Sequence, residues 1–352
     1  MKKTLVLKVD SQEPDVEKIR IAANIIKRGG LVAFPTETVY GLGADALNAK
    51  AVLSLFRAKR RPLDNPPIVH VGGPEDVYRL VREVTPFAEL LMGRFWPGPL
   101  TLIFWRSVVV PDVTVAGLDT IAVRMPDHRV ALALIRESGC PVAAPSANLA
   151  GKPSPTSAEH VLADLDGRID AVLDAGSTLV GIESTVLDLT VDPPEVLRPG
   201  GTPFEVLRSV VGRVVLSPVV FADRALSVEK VRSPGVKHRH YAPDASVVVV
   251  EGEFGAVVAK VRELVGFYVG DGKRVGVLAT DETVRKYSAG VVKSVGSRAD
   301  LAGVARSLFR VLREFDREGV DVIVAEGFPL EGFGLAVMNR LRRASGFNIV
   351  RV

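Results

Sequence analysis

At 352 residues, with 47% hydrophobic and 24% charged side chains, the chain is long enough for two globular domains and too apolar to be disordered. A formal net charge of +4 excludes a strongly basic tail while leaving contact with nucleotides or RNA open. Cys140 is the single cysteine, which excludes an internal disulfide and a cysteine-based zinc cage.

The chain starts MKKTLVLKVDSQEPD, where Lys8 and Asp10 break a brief apolar run too early for a signal peptide or a membrane span. No later segment is long and apolar enough to span a bilayer, so a cytoplasmic location without membrane contact is expected. One Gln, six Asn and four Met against many Val, Arg and Pro point to a hot source, because heat-labile side chains are sparse.

From Val16 to Ile26, apolar side chains at Val16, Ile19, Ala22, Ala23 and Ile26 follow a helical period that closes on Gly29 and Gly30. The next stretch, LVAFPTETVYGLGADAL from Leu31 to Leu47, leaves an apolar run through Thr36, Glu37 and Thr38, then places Tyr40, Gly41 and Gly43. A plain hairpin needs no such cluster. It suggests a strand end facing something small and polar, with glycines that allow close backbone approach and Tyr40 as a core aromatic.

Further strands are expected at Pro67 to Val71, Leu100 to Trp105, Asp119 to Met125, Ala171 to Asp174 and Glu183 to Thr190. Helical patterns at Ala49 to Arg60, Thr85 to Phe95, His128 to Glu137 and Ser157 to Leu165 lie between them, which predicts an α/β layer structure. From Val214 the periodicity fades into a Pro-containing, basic and aromatic stretch that reads as an ordered linker. Beyond it SVVVVEG, RVGVLAT and DVIVAEG are short apolar runs separated by helices, as in a buried parallel sheet. Leu301, Val304, Leu308, Val311 and Phe315 make the stripe of a last crossover helix, with Asp300 as N-cap and Gly319 as stop. EGEFGAVV lacks the spacing of a dinucleotide fingerprint, so NAD is not assigned. The expected division is 1–213, a linker over 214–245, and 246–352.

Residues suited to polar ligands concentrate in the first domain. Arg57, Lys59, Arg60 and Arg61 lie at a helix end, followed by Asn65 and two prolines, and then by His70 on a strand. Cations at a helix C-terminus are favoured by the macrodipole alone, but Lys59 and Arg61 before a rigid turn also make an anion grip suited to phosphate. The segment AAPSANLAGKPSPTS presents Ser146, Asn148 and Ser154 on a stiffened loop, although a plain Pro, Gly and Ser turn explains it equally. Ser184 and Thr185 open another strand, and Arg198 precedes a Pro-Gly-Gly turn. His238 and His240 resemble a metal pair, but nothing nearby completes the ligand count.

In combination, FPTETVYGLG, Lys59-x-Arg61-Pro with Asn65-Pro, VRMPDH, PSAN, ESTV and RPG resemble, in this order, the YrdC-type L-threonylcarbamoyladenylate synthase family. The linker RSPGVKHRHYAP and the stretch AGVARSLFRVLREFD resemble its long form, so that the similarity spans essentially the whole chain. This resemblance implies a YrdC-like twisted open mixed sheet with flanking helices, followed by a smaller Rossmann-like parallel-sheet domain. It implies synthesis of threonylcarbamoyl-AMP from L-threonine, bicarbonate and ATP with Mg²⁺ and release of pyrophosphate. A separate transferase then modifies the adenosine beside the tRNA anticodon, and weak tRNA contact is compatible with this role.

By the same resemblance Thr38, His70, Arg124 and Ser184, with the backbone at Ala144, hold threonine, and Arg124 suits its carboxylate. Arg61, Asn65, Thr120, Ser146, Ser154 and Arg198 hold ATP, with Lys59, Asn148 and linker Tyr241 as additional contacts. Lys59 and Arg61 are the residues expected to serve the chemistry, and the protein ligands of the metal are unassigned. Glu37 has three readings: an amine contact through water, a bridge to a neighbouring arginine, or structure. The linker is expected to close over the site and exclude water from the acyl adenylate. Two alternatives stay open: an RNA-binding module built on the basic runs at Arg57 to Arg61 and Arg340 to Arg343, and carbamoyl transfer to another protein. The chain lacks the cysteine-rich zinc-finger segments of proteins of the second kind.

Overall fold

The computed structural model describes residues 3–221, 240–288 and 290–352. They fall into two units, one of residues 3–150 and 154–220, the other of residues 151–153, 221 and 240–352. The expected linker, 214–245, lies for the most part on residues outside those described.

In the first unit the strands are β1 (Leu5–Lys8), β2 (Val32–Phe34), β3 (Gly41–Asp45), β4 (Val69–His70), β5 (Leu100–Trp105), β6 (Thr120–Arg124), β7 (Val142–Ala143), β8 (Ala171–Asp174), β9 (Thr185–Asp188), β10 (Glu195–Arg198) and β11 (Val215–Leu216). They form one mixed sheet in the order β1-β8-β2-β3-β7-β4-β6-β5-β9-β10-β11. Its main helices are α1 (Val16–Lys27), α2 (Ala49–Lys59), α3 (Val77–Leu80), α4 (Pro86–Phe95), α5 (Arg129–Ser138), α6 (Ala158–Leu165) and α7 (Phe204–Val211).

The helix starts follow capping chemistry. Asp15, Asn48, Thr85, His128 and Ser157 each use a side chain to accept a hydrogen bond from the first turn of the helix that follows. Three expected helices, at Thr85, His128 and Ser157, therefore begin one residue later than the pattern suggests, the expected first residue being the cap. On α1 the stripe Ile19, Ala22, Ala23 and Ile26 is buried, but Val16 lies at the exposed start of the helix.

The expectation that the Thr-Glu-Thr stretch is no hairpin is corrected. β2 and β3 pair antiparallel, Val32 opposite Gly43 and Phe34 opposite Gly41, with residues 35–40 as the connection. The glycines also answer to a neighbour within the fold. A Cβ on Gly43 would lie 2.8 Å from Phe34 Cε1 and 2.9 Å from Val142 Cγ1, so the ring of Phe34 claims that space. Tyr40 is fully buried, and its hydroxyl donates to the Gly176 carbonyl at 2.7 Å.

The second unit holds β12 (Ser246–Glu251), β13 (Val275–Ala279), β14 (Val291–Ser294), β15 (Val322–Glu326) and β16 (Ile349–Arg351), with α8 (Phe254–Gly270), α9 (Leu301–Glu318) and α10 (Phe333–Ala344). All its strand pairs are parallel, in the order β14-β13-β15-β12-β16. Asp300 caps α9 and Gly319 ends it in a left-handed conformation, as the pattern predicts. It is not the last crossover, because α10 and β16 follow. Their signal was masked by the run Arg340 to Arg343, which reads as surface yet is buried. Arg340 is fully enclosed, and Arg342 makes two 2.7 Å hydrogen bonds to the Glu251 carboxylate.

No described helix is long and apolar enough to cross a membrane.

Candidate active site

The residues expected to hold threonine gather at the centre of the mixed sheet. β4 pairs parallel with β6 in the register that sets His70 beside Arg124, and antiparallel with β7, which leads into Ala144. Ala144 N donates to the Ile68 carbonyl at 2.8 Å, fixing this corner of backbone. The β2–β3 connection is held by its own hydroxyls. Thr36 Oγ1 donates to the Val39 carbonyl at 2.7 Å, so Thr38 Oγ1, 2.8 Å away, is the donor between the two threonines. Thr38 Oγ1 in turn accepts from Arg124 Nη1 at 2.9 Å. Arg124 Nε donates to the Gly98 carbonyl at 3.0 Å, and Nη2 lies 2.5 Å from Glu37 Oε2 in an ion pair, off the line of its N–H bonds. Both side chains of that pair are almost wholly enclosed. Of the three readings of Glu37, the bridge to an arginine is the one seen.

His70 is buried beside Phe34, the rings meeting edge to face at 6.2 Å. Its Nδ1 faces the Ile68 carbonyl at 3.3 Å; since a carbonyl only accepts, Nδ1 carries the proton and Nε2 is an acceptor. Burial, and then the charge of Arg124, bring its pKa down to about 3. The native ring thus stays neutral where the unfolded one, with a pKa near ~6.5, takes up a proton. Stability from this residue is full above the unfolded value and is lost as pH falls toward 3, at up to ~1.4 kcal/mol per pH unit. Urea unfolding of wild type and His70→Asn at about pH 7 and pH 5 checks this: the variant should show the shallower loss. Equal slopes would place the acid sensitivity elsewhere.

Most of the residues expected to hold ATP lie on loops. Lys59, the last residue of α2, is buried and donates through Nζ to the carbonyls of both Ser146 and Asn148. Arg60, in a left-handed conformation, ends the helix, and Arg61 swings over the turn that follows. Arg61 Nε and Nη2 donate to the Asn65 carbonyl and side-chain oxygen at 2.8 and 2.7 Å, so the expected grip is held in place by the protein's own groups. The PSAN segment is stitched to the β2–β3 connection: Gly41 bridges Ser146, and Ala147 N donates to the Tyr40 carbonyl at 2.8 Å. A backbone seam therefore joins the Thr38 loop to the Ser146 loop.

Ser184 precedes β9. Its hydroxyl lies 2.7 Å from Thr101 Oγ1 and accepts from Arg198 Nη2 at 3.2 Å, and Arg198 also grips the Ser184 carbonyl through Nε and Nη2. Ser154 is fully buried and donates to Glu183 Oε1. Gly200 lies against this backbone, where a Cβ would meet the Glu183 carbonyl at 2.3 Å.

The structure thus joins Thr38 to Arg124, sets His70 beside Arg124, and links Lys59 to Ser146 and Asn148, Arg61 to Asn65, and Ser184 to Arg198. Thr120 stands half-buried at the start of β6, opposite Trp105. Tyr241 lies in the second unit, where its ring stacks on Phe309 with centroids 5.3 Å apart and the Arg340 guanidinium stands 5.5 Å from its centre. Linker closure involves residues 222–239, which lie outside those described. Thr101 and Glu183, which orient Ser184 and Ser154, escaped the sequence reading. Thr101 looks like one more core position of an apolar strand, and Glu183 could be found only by its place in front of Ser184.

A mixed sheet that carries a buried arginine and a neutral histidine beside one hydroxyl loop, with fixed cationic and amide groups on the adjoining loops, has the makings of an α/β enzyme site for small polar ligands. Comparison with known proteins makes the class specific. The family model for Sua5, YciO and YrdC proteins, described as "Telomere recombination", matches residues 24–200, and the model for the "Threonylcarbamoyl-AMP synthase, C-terminal domain" matches residues 203–346. Threonylcarbamoyl-AMP synthase of Pyrococcus abyssi is 52% identical over 335 residues, covering 95% of this chain and 96% of that protein. The enzyme of Bacillus subtilis is 50% identical over 338 residues, covering 95% and 94%. The crystal structure of P. abyssi Sua5 complexed with L-threonine superposes with a TM-score of 0.94 at 51% identity, over 99% of this chain and 100% of that one. The chain belongs to the threonylcarbamoyl-AMP synthase family in its two-domain form.

Proposed function

We propose that the protein condenses L-threonine, bicarbonate and ATP to L-threonylcarbamoyl-AMP and pyrophosphate, for threonylcarbamoyl modification of the adenosine beside the tRNA anticodon. The observation that carries this reading is the backbone seam between the Thr38 loop, bonded to Arg124, and the Ser146 loop, bonded to Lys59. It supports the reading because the two loops that the family resemblance assigns to threonine and to ATP run side by side, in a chain about half identical over 95% of its length to named synthases.

Threonine's amine and CO₂ combine as a carbamate, whose oxygen attacks the α-phosphorus as pyrophosphate leaves. The carbamate is short-lived, so positioning is the main demand on the protein; in favourable systems it lowers a barrier by roughly 7–11 kcal/mol. Arg124 takes the carboxylate, and the acceptor Nε2 of neutral His70 suits the threonine hydroxyl. Arg61 and Arg198 offset phosphate charge, with Asn65, Thr120, Ser146, Asn148 and Ser154 as polar contacts.

Among the described residues no group of three or more His, Cys, Asp or Glu could hold a metal ion. Mg²⁺ is assigned to the ATP phosphates as part of the substrate. The product passes to a tRNA threonylcarbamoyl transferase, with at most weak tRNA contact here, and the setting is cytoplasmic. The alternative of an RNA-binding module loses one of its two supports, because the run Arg340 to Arg343 is buried.

Pyrophosphate release from ATP and bicarbonate, with and without L-threonine and with serine and allothreonine as controls, tests the reading. Wild type should respond to threonine, and Arg61→Ala should lower that response roughly 10–100-fold by loosening the phosphate grip. Turnover indifferent to threonine, or none together with tight RNA binding, would replace this reading with a different ligand.

A further inference from the structure

Glu37 carries an unmet demand. Its side chain is buried, its backbone carbonyl accepts from Val180 N at 2.8 Å, and Oε2 is paired with Arg124. Oε1 has no hydrogen-bond donor among the described residues. An ionised carboxylate oxygen enclosed without a donor is costly, and buried polar groups are almost always satisfied by protein, water or ligand. The other buried carboxylates of this unit are engaged: Glu183 by the Ser154 hydroxyl, Asp188 by Thr190, and Asp164 by Leu149 N. The charged groups facing Glu37 are Arg124 and, more weakly, the His128 ring, whose own pKa is lowered by burial.

The groups assigned to threonine supply a cation at Arg124, hydroxyls at Thr38 and Ser184, an imidazole at His70 and backbone at Ala144. None of them carries a negative charge, yet a free amino acid is a zwitterion whose ammonium has three donors and no acceptor. A carboxylate with one oxygen on Arg124 and the other open is the mirror of that charge pattern. The two side chains neutralise each other, which permits both to be buried. When the ligand enters, its carboxylate adds to Arg124 and its ammonium to Oε1, so neither charge is left without a partner.

Resting on the synthase reading above, we propose that Glu37 is the ammonium-binding residue of the amino-acid subsite, its free Oε1 accepting from the α-amino group while Oε2 stays on Arg124. The subsite is thereby specific for α-amino acids over the corresponding hydroxy acids, and it sets the nitrogen that becomes carbamoylated.

Isothermal titration calorimetry on the full chain separates this from a structural role. The probes are L-threonine and its 2-hydroxy analogue, in which a hydroxyl replaces the ammonium. Wild type should prefer threonine by at least about tenfold. Glu37→Gln should weaken threonine about 10–100-fold and the analogue little, so that the preference collapses. Glu37→Asp, which keeps the charge, should recover part of the preference and also serves if the glutamine variant folds poorly. Equal weakening of both probes, or an unchanged preference in Glu37→Gln, would overturn the assignment while leaving the synthase reading intact. Failure of wild type to bind threonine would overturn both.

Discussion

Arg124→Ala should abolish threonine-dependent pyrophosphate release and lower stability by about 3–5 kcal/mol, because it strands a buried carboxylate as well as removing the anchor proposed for the substrate carboxylate. The guanidinium makes three kinds of contact at once: a hydrogen bond to the Gly98 carbonyl, another to Thr38 Oγ1, and the ion pair with Glu37. Alanine deletes all three in a place water does not reach. The β2–β3 connection then loses its hold on β6, and Thr38 is free to leave the substrate position. Urea unfolding of Arg124→Ala beside Arg124→Ala/Glu37→Gln separates the two consequences. Removing the stranded charge should restore much of the stability and none of the activity. A single variant as stable as wild type would mean that the ion pair does not hold this loop, and one that still responds to threonine would remove Arg124 from the substrate carboxylate.

The order of helices and strands was legible because it is written in local periodicity. β5 and β8 coincide with their expected runs, and α9 begins and ends at the residues its caps indicate. The elements that escaped are short or defined only by partners. β3 contains two glycines and is a strand because β2 and β7 flank it, whereas β7 is two residues long and gains its identity from β3 and β4. The site shows the same division. Arg61, Asn65, Ser146 and Arg198 are of ligand-binding type on their face, and their spacing near prolines and glycines singles them out. What Lys59 touches could not be foreseen, since its partners are backbone carbonyls some ninety positions away in the chain. Arg340 to Arg343 is the reverse case: composition suggested a basic surface, yet the arginines are buried, Arg342 against the Glu251 carboxylate and Arg340 over the Tyr241 ring.

Lys59 is where that hidden geometry has the larger consequence for catalysis. It is 1% exposed, and its ammonium draws together the carbonyls of Ser146 and Asn148, curling the PSAN loop around a fixed positive charge. In Lys59→Met the stem can still fill the tunnel, but the two carbonyls lose their common donor and the site loses a cation in a place of low dielectric. Removing one such preorganised group typically costs about 10²–10³ in turnover, and kcat for threonine-dependent pyrophosphate release should fall by that order. Stability should change less than in Arg124→Ala, because the variant leaves no unpaired charge behind and no longer has to desolvate an ammonium. Threonine affinity measured without ATP should stay close to wild type, since the Lys59 ammonium is bonded to the carbonyls of Ser146 and Asn148, on the loop assigned to the nucleotide. The combination of lost turnover with retained threonine binding is the diagnostic result. If threonine binding fell in step with turnover, Lys59 would be holding the whole pocket in shape, and the division of the site into an amino-acid side and a nucleotide side would not stand.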